Sequence, residues 1–430
     1  LRIVVRASDA RIARDAQAQL NAAGVDAIAL AGPVRPAPNG EDIAIFPNAQ
    51  DAAMAEALVA SDAGPLACLS GQRWSSPPPR GLAASSVFTG SISLDAPPKL
   101  LSAQVESWIR VAVAEEERER RALTAGALGV AAPQPLDQRR LKALYIGAPS
   151  SMFLALERAL TEQDGVVAAA FSSYAGFDHL HDEPFDAVVL NGAQDAPTAI
   201  SLCAALRRNA TLYHMPTMVV VASGDTDTAK SVIDRGASAV ATVNAPCGAS
   251  LGWLFEAIRR ERRRRTADHD MCALRDLMGD SRTGLWRRAA FDAHLARLAA
   301  DHHANGRPLS LAVLRVLPAH GARAPAEDVW RKGFTEVASL AARLMRDADC
   351  GVTLGGDLIA IALPAANLKS AKRTAERVAS VAECTAFASG DGGAGPLVFE
   401  QSAVELQPGE SGAGMLARAL RAIEVESIPA

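Results

Sequence analysis

Residues 346–359 read RDADCGVTLGGDLI. Arg346 and Asp349 stand three positions apart, and Gly355-Gly356 follows between apolar runs. Arginine offers a planar fork of donors and an ionised aspartate offers only acceptors. Together they can hold the edge of a guanine, with Arg346 on O6/N7 and Asp349 on the N1/N2 donors. Val352 and Leu354 precede the glycines, while Leu358, Ile359, Ile361 and Leu363 follow them. Gly-Gly between apolar runs predicts a β-hairpin. Spacing alone also fits a surface Arg–Asp pair beside an ordinary hairpin.

The same stretch resembles the signature segment of the GGDEF domain, the domain of diguanylate cyclases. In that family an RxxD motif begins nine residues before the first glycine of the active-site turn, and it forms the allosteric site for cyclic di-GMP. Arg346 and Gly355 have that offset. The active-site turn should read Gly, Gly, Asp or Glu, Glu, Phe, whereas here it reads Gly355-Gly356-Asp357-Leu358-Ile359. Leu358 thus stands where the second carboxylate belongs. A second arginine 22 residues after the first glycine completes the family's allosteric site, and Arg377 occupies that position. The resemblance therefore implies cyclic di-GMP as ligand of Arg346, Asp349 and Arg377, although Arg377 also has Glu376 and Asp349 within pairing range.

Further matches surround this segment. DSRTGLWRRAAF, from Asp280, is similar to the family's opening motif: Thr283-Gly284-Leu285 is kept, Trp286 replaces an Asn, and Arg287, Arg288 and Phe291 agree. LSLAVLRV, from Leu309, matches the first strand of the catalytic sheet. A working cyclase needs an Asp in that strand, because its carboxylate and the turn carboxylate hold two metal ions on the GTP phosphates. The matching residue is Arg315, a cation that would repel Mg²⁺. The guanine-reading Asn aligns near Arg323 and a later Asp near Arg331. Asp357 alone survives, and one carboxylate is not a two-metal site. The expectation is a GGDEF-type fold without synthase chemistry and without a required metal.

The elements that must carry these residues belong to a chain of 430 residues, long enough for about three domains. With 44 basic against 48 acidic residues, no general affinity for nucleic acid is predicted. Six cysteines lack CxxC or zinc spacing, which suits a reducing cytosol. No apolar run is long enough to predict a spanning helix, and no signal peptide is recognisable after Leu1. A cytoplasmic protein is expected.

Five segments are predicted: an α/β domain at 1–112, a helical linker at 113–139, a second α/β domain at 140–262, a helical stalk at 263–279, and the GGDEF-type mixed α/β domain at 280–430. In the first, LRIVV reads as a strand and Asp9 as the cap of a helix from Ala10 to Ala23. Asp42 to Phe46 and Leu66 to Leu69 read as strands, Ala52 to Ala60 and Val105 to Val113 as helices, and Pro77 to Val87 as loop. In the second, strands are predicted at Leu141 to Ile146, Val167 to Phe171, Asp186 to Leu190, Thr217 to Val221 and Ala239 to Val243. Helices are predicted at Ser151 to Leu160, Thr198 to Arg208, Thr228 to Arg235 and Leu251 to Arg260. Alternation of this kind predicts a parallel sheet, close to (βα)₅.

Both α/β domains resemble response-regulator receiver domains, most clearly over 218–246. That family uses an acidic pair after the first strand for Mg²⁺, an Asp ending the third strand as phosphoacceptor, a Thr or Ser ending the fourth, and a Lys before a Pro after the fifth. In the second domain those positions hold Gly147 and Ala148, Asn191 and Val221, with no Lys near Val243 to Pro246. In the first they hold Arg6 and Ala7, Phe46 or Pro47, and Ala96, with only Ser70 in agreement. A neutral amide or a phenyl ring cannot be the phosphoryl acceptor. Asp9, Asp42 and Asp186 read as caps or surface carboxylates. Both domains read as adaptor and dimerisation modules.

The charged runs read blandly. Glu115 to Arg121 is expected to be an exposed helix end with i,i+4 pairing, and the six arginines of Arg259 to Arg265 a solvated stalk. Trp253 and Leu254 are expected to pack a neighbouring domain. The order receiver, receiver, GGDEF is that of two-receiver diguanylate cyclases. Loss of both phosphorylation and catalysis points to a non-catalytic cyclic di-GMP effector, and the resemblance further implies a scaffold that helps deliver cell-cycle regulators for proteolysis at the cell pole. A homodimer is also anticipated. The alternatives are a residual cyclase or GTP binder, and a purely structural interaction protein.

Overall fold

The computed structural model describes residues 2–32, 43–48, 50–53, 55, 68–72, 88–136, 139–243, 247–319, 325–384 and 397–426. They divide into two compact units, 1–112 with 137–265 and 113–136 with 266–430. The expected loop at Pro77 to Val87, Asp42, Arg323 and most of the helix expected at Ala52 to Ala60 lie outside the described residues.

The first unit contains two five-stranded sheets. The first comprises β1 (Ile3–Ala7), β2 (Ala27–Ala31), β3 (Ile43–Phe46), β4 (Cys68–Gln72) and β5 (Phe88–Ser93), in the order β2-β1-β3-β4-β5. Helix α1 (Ala10–Ala22) follows β1, and its Asp9 cap accepts from the Arg11 amide at 2.7 Å. The sequence reading missed β2 and β5. Helix α2 (Pro98–Ala127) is a single helix of 30 residues, longer than expected because good helix formers continue past Val113. The second sheet comprises β6 (Lys142–Ile146), β7 (Val166–Ala170), β8 (Ala187–Asn191), β9 (Thr217–Val221) and β10 (Ala239–Thr242), in the order β10-β9-β8-β6-β7. Helices α3 (Ser151–Thr161), α4 (Ser173–Asp182), α5 (Ala196–Arg208) and α6 (Thr226–Asp234) connect these strands, and α7 (Cys247–Met278) follows.

Every strand pair in both sheets is parallel. Each sheet follows the doubly wound order 2-1-3-4-5, in which the crevice lies at the carboxyl ends of the first and third strands. Strands buried on both faces should be continuous apolar runs, and β8 and β9 are buried at every residue.

Three expectations are corrected in this unit. Asp186 is buried rather than a surface carboxylate: it accepts from the Lys142 amide and from Arg262, with Arg139 and Arg265 also paired to it. Burial favours its protonation, but those donors overcome burial and hold the carboxyl below its usual range. The run Arg259 to Arg265 is accordingly not a solvated stalk, since Arg262 and Arg265 serve Asp186 and Arg263 donates to the Thr89 carbonyl at 2.7 Å. Trp253 and Leu254 pack with Leu141, Tyr145 and Leu156 in the core of their own sheet, not against a neighbouring domain.

The second unit is built on an antiparallel four-stranded sheet, order β12-β13-β11-β14. Its elements are α8 (Arg288–Asn305), β11 (Leu309–Pro318), α9 (Glu327–Leu344), β12 (Cys350–Thr353), β13 (Leu358–Pro364), α10 (Leu368–Glu383), β14 (Leu397–Glu405) and α11 (Gly412–Glu426). One face packs Phe291, Leu295 and Leu298 of α8 with Met415 and Ala419 of α11, and the other packs Val337 and Ala341 of α9 with Ala375 and Val378 of α10. Strands β12 and β13 form the expected hairpin. The Leu354 amide bonds the Leu358 carbonyl across the turn at 2.8 Å, and Gly355 has φ +97°, a conformation that costs glycine little. Residues 113–127 of α2 belong to this unit.

Candidate functional site

The segment from Arg346 to Asp349 is a tight turn between α9 and β12. The Asp349 amide bonds the Arg346 carbonyl at 3.0 Å, and the Arg346 amide bonds Asp349 Oδ2 at 2.9 Å. Arg346 is exposed, and its guanidinium donates no hydrogen bond to any described residue. Arg377, on α10, donates to the Leu344 carbonyl at 3.0 Å, so its charge sits at the C-terminus of α9, where a cation is favoured. Asp349 is only 7% exposed. Burial pushes its carboxyl up to about 6, against the pull of the Arg346 amide and of the Arg346, Arg121 and Arg377 charges. The three residues expected from spacing are therefore within electrostatic reach of one another, around a carboxylate held close to neutral-pH titration.

Arg121 was not expected there. It lies in the charged run expected to be an exposed helix end with i,i+4 pairing; the pairs Glu116–Arg120 and Glu117–Arg121 form, but Glu117, Arg120 and Arg121 are 1%, 5% and 2% exposed, so the expected exposure is corrected. Arg121 Nη2 donates to the Asp347 carbonyl at 2.6 Å and to the Asp349 carbonyl at 3.2 Å, and Nη1 donates to the Met271 carbonyl at 3.2 Å. Its Nε donates to Glu117 Oε1 at 2.8 Å. Glu117 also receives Arg120 Nη1 at 2.6 Å and faces His294 Nε2 at 3.0 Å. Burial would protonate Glu117, but His294, Arg121 and Arg120 outweigh it and hold the carboxyl at about 2. Trp286, placed where the family has Asn, is buried with its ring 4.7 Å from His294 and 5.4 Å from the Arg121 guanidinium. One signal was present in the sequence: Glu117, Arg121 and Thr124 continue the three- and four-residue spacing of Val111 and Ala114 along one face of α2.

At the far end of the hairpin the chemistry differs. Arg315 on β11 pairs in register with Leu358 on β13 and Glu400 on β14. Its Nη1 lies 3.3 Å from Glu400 Oε2, and its Nε lies 4.0 Å from Asp357 Oδ2. A guanidinium thus stands between the carboxylates. The residues do not fit a divalent cation there, since a fixed positive charge would repel it. Trp330 Nε1 donates to the Gly356 carbonyl at 2.9 Å and pins the Gly355-Gly356 turn. Arg331 pairs with Glu327 on the surface of α9.

In the second sheet, Asn191 ends β8 at the crevice. Its Nδ2 donates to the Ala148 carbonyl at 2.8 Å, and its Oδ1 accepts from the Ala193 amide at 3.2 Å. Gly147 has φ +124°, and a Cβ there would come within 2.9 Å of Asn191 Cβ. No acidic side chain fits at that position without displacing Asn191. In the first sheet, Phe46 is buried edge-on to Phe88, with ring centroids 6.0 Å apart. Ser70 lies on β4, and its side chain is outside what the structure describes.

No family model and no curated protein matches the chain. Among solved structures, the chain is similar to the GGDEF domain of DgcB from Caulobacter crescentus in complex with c-di-GMP, at 23% identity over 35% of this chain and 86% of that one, with TM-score 0.30. It is similar to the diguanylate cyclase SiaD in complex with its activator SiaC from Pseudomonas aeruginosa, at 23% identity over 39% and 67% of the two chains, with TM-score 0.31. A putative response regulator from Chloroflexus aurantiacus J-10-fl matches at 15% identity over 28% and 98%, with TM-score 0.26. At these values a functional reading rests on the residues of this chain. Among the described residues, no helix is long and apolar enough to cross a membrane.

Proposed function

We propose that the chain is a non-catalytic effector of cyclic di-GMP, with a GGDEF-type second unit that binds the dinucleotide at Arg346, Asp349 and Arg377. The observation that carries this reading is the contrast between the two ends of the β12–β13 hairpin. At one end Arg315 fills the place of a metal-binding carboxylate, between Asp357 and Glu400. At the other, an exposed guanidinium, a buried carboxylate and a second arginine remain together. A cyclic dinucleotide brings phosphates for the arginines and guanine edges for the carboxylate. The two parallel sheets serve as receiver-like docking modules for protein partners, including a second copy of the chain. Their acceptor positions, Asn191 and Phe46, offer no nucleophile for phosphoryl transfer. Delivery of cell-cycle regulators for proteolysis, in the cytoplasm at the cell pole, is the role this design would serve.

Calorimetric titration with cyclic di-GMP tests the reading. Saturable binding that Arg346→Ala weakens supports it, and no heat at any concentration sinks it in favour of a purely structural interaction protein. The second reading, a residual cyclase or GTP binder, draws on Asp357, whose side chain remains 45% exposed at the turn. Product accumulation from GTP with Mg²⁺ or Mn²⁺ would establish it.

A further inference from the structure

We infer that Arg121 is a positioning residue for the nucleotide site: from a buried ionic cluster, it fixes the main chain of the Arg346–Asp349 turn in its binding geometry. This deepens the function proposed above and rests on it.

The argument starts from a carbonyl count. A four-residue turn leaves main-chain acceptors without regular partners, and buried acceptors need donors. The carbonyls of Asp347 and Asp349 both point to one nitrogen, Arg121 Nη2. A guanidinium is rigid and planar, so fixing its other edge fixes the donors that face the turn. That other edge is held by Glu117 at 2.8 Å. Glu117 is in turn fixed by Arg120 at 2.6 Å and by His294 at 3.0 Å. Arg120 is anchored further by Asp301 at 2.8 Å, and Thr124 Oγ1 lies 3.1 Å from His294 Nδ1. The chain of contacts therefore runs from α8, through α2, to the turn that presents Arg346 and Asp349.

Burial separates positioning from ligand contact. Arg121 is 2% exposed and its nitrogens are already occupied, whereas Arg346 and Arg377 are exposed. Arg121 therefore acts behind the site. A cluster of buried charges is costly to assemble and is no strong argument for stability. What it supplies here is a fixed geometry for a short loop whose two ligand-reading side chains must keep their spacing.

The test uses the full-length protein with cyclic di-GMP as probe. Arg121→Lys keeps the charge and removes the fork. In case a single change fails to fold, the double change Glu117→Gln with Arg121→Met removes one charge of each sign. Hydrogen exchange is read at the Arg346 and Asp349 amides without ligand, and affinity is read by calorimetry. The expected result is exchange at those two amides at least about tenfold faster, with most amides of β11 and β13 unchanged, and affinity at least about tenfold weaker. A further signature is the pH midpoint of binding. It moves upward in the double variant, because Arg121 is one of the charges that favour ionised Asp349, and stays in place in Arg121→Lys. Unchanged exchange at the turn overturns the inference, as does faster exchange with unchanged affinity. If the parent protein does not bind, the proposed function fails, and the exchange measurement still decides whether Arg121 holds the turn.

Discussion

Replacing Asp349 by Asn should make the protein more stable and a poorer ligand binder at once. A carboxyl that ordinarily titrates at 3.8 titrates at about 6 in this turn. Each tenfold shift in the proton equilibrium is worth about 1.4 kcal/mol, so the ionised form is disfavoured by about 3 kcal/mol in the folded state. The sign follows from where the protons bind. Between about pH 4 and 6 the folded protein holds a proton that the unfolded chain has released. Stability from this group is therefore lowest above pH 6 and rises as the solution is acidified towards pH 4. The charges facing the carboxylate are Arg346 on the turn, Arg121 on α2 and Arg377 on α10, all cationic throughout this range.

Ligand affinity should move the other way. Guanine N1 and N2 are donors, so the acceptor-only ionised carboxylate is the binding form. With a midpoint of about 6, only about a tenth of the sites are ionised at pH 5, and affinity for cyclic di-GMP falls about tenfold between pH 7.5 and pH 5. In Asp349→Asn the amide oxygen can still accept from the Arg346 amide, so the turn survives. We expect this variant to gain about 1–3 kcal/mol at pH 7.5 by denaturant titration, with the gain vanishing near pH 4. Its affinity should be at least about tenfold weaker and flat between pH 5 and 7.5. A variant less stable than the parent at pH 7.5, or a parent affinity that does not change with pH, would refute the reasoning.

Four other outcomes are expected. Arg346→Ala should weaken cyclic di-GMP binding about 30-fold or more by calorimetry, because a charge-assisted contact worth about 2–5 kcal/mol is lost; its thermal midpoint should fall only slightly, since the guanidinium donates no hydrogen bond to described residues and supports the fold through its charge beside ionised Asp349. Incubation with GTP and Mg²⁺ or Mn²⁺, followed by chromatography, should yield no cyclic di-GMP, given Arg315 and Leu358 at the turn. Acetyl phosphate should leave both parallel-sheet domains unlabelled in intact-mass analysis, with Asn191 tied to Ala148 and Phe46 buried. Gly90→Ala should destabilise the first sheet by about 3 kcal/mol by thermal melting, because the new Cβ would fall 1.8 Å from the Trp108 ring, a case of overpacking.

Much of the second sheet was legible because its central strands, β6, β8 and β9, are buried on both faces. A run such as Thr217–Val221 is apolar without alternation and bounded by turn residues, so its limits coincide with the observed strand. The hairpin was legible from Gly355-Gly356 between apolar runs. Helix Ser173–Asp182 was passed over: it has two aromatics and two histidines in ten residues, which are weak helix formers, and only packing beside the sheet decides it. Strand Ala27–Ala31 was missed because it is an edge strand with exposed apolar residues, so neither alternation nor continuous burial marks it. The charged runs failed for a common reason. Charge predicts exposure only when no partner waits inside, and Glu117, Arg121, Asp186 and Arg262 each find theirs far along the chain. Pairing over such separations has no periodic signature. Of the proposed site, the residues that face outward, Arg346 and Arg377, were readable from their spacing, and Arg121, buried behind the Arg346–Asp349 turn, was not.

The two ends of the hairpin also differ in what they need in order to fold. Two carboxylates brought together by β-sheet register repel each other unless a cation lies between them. In a metal-dependent site that cation arrives from solution, and the arrangement is at rest only when loaded. In this chain Arg315 is the cation, delivered by β11 itself, and it lies 3.3 Å from Glu400 and 4.0 Å from Asp357 when the sheet is formed. The opposite end keeps an uncompensated demand. Asp349 is ionised at neutral pH against the pull of burial, and Arg346 holds its charge out to solvent. A ligand with donors and negative charge relieves both at once, while the Arg315 end offers no such relief. Under the proposed function, free energy available for binding has thus been removed from the Gly355-Gly356 turn and retained at the turn proposed to read a nucleotide. This asymmetry sets the proposed effector apart from a cyclase that has merely lost one residue.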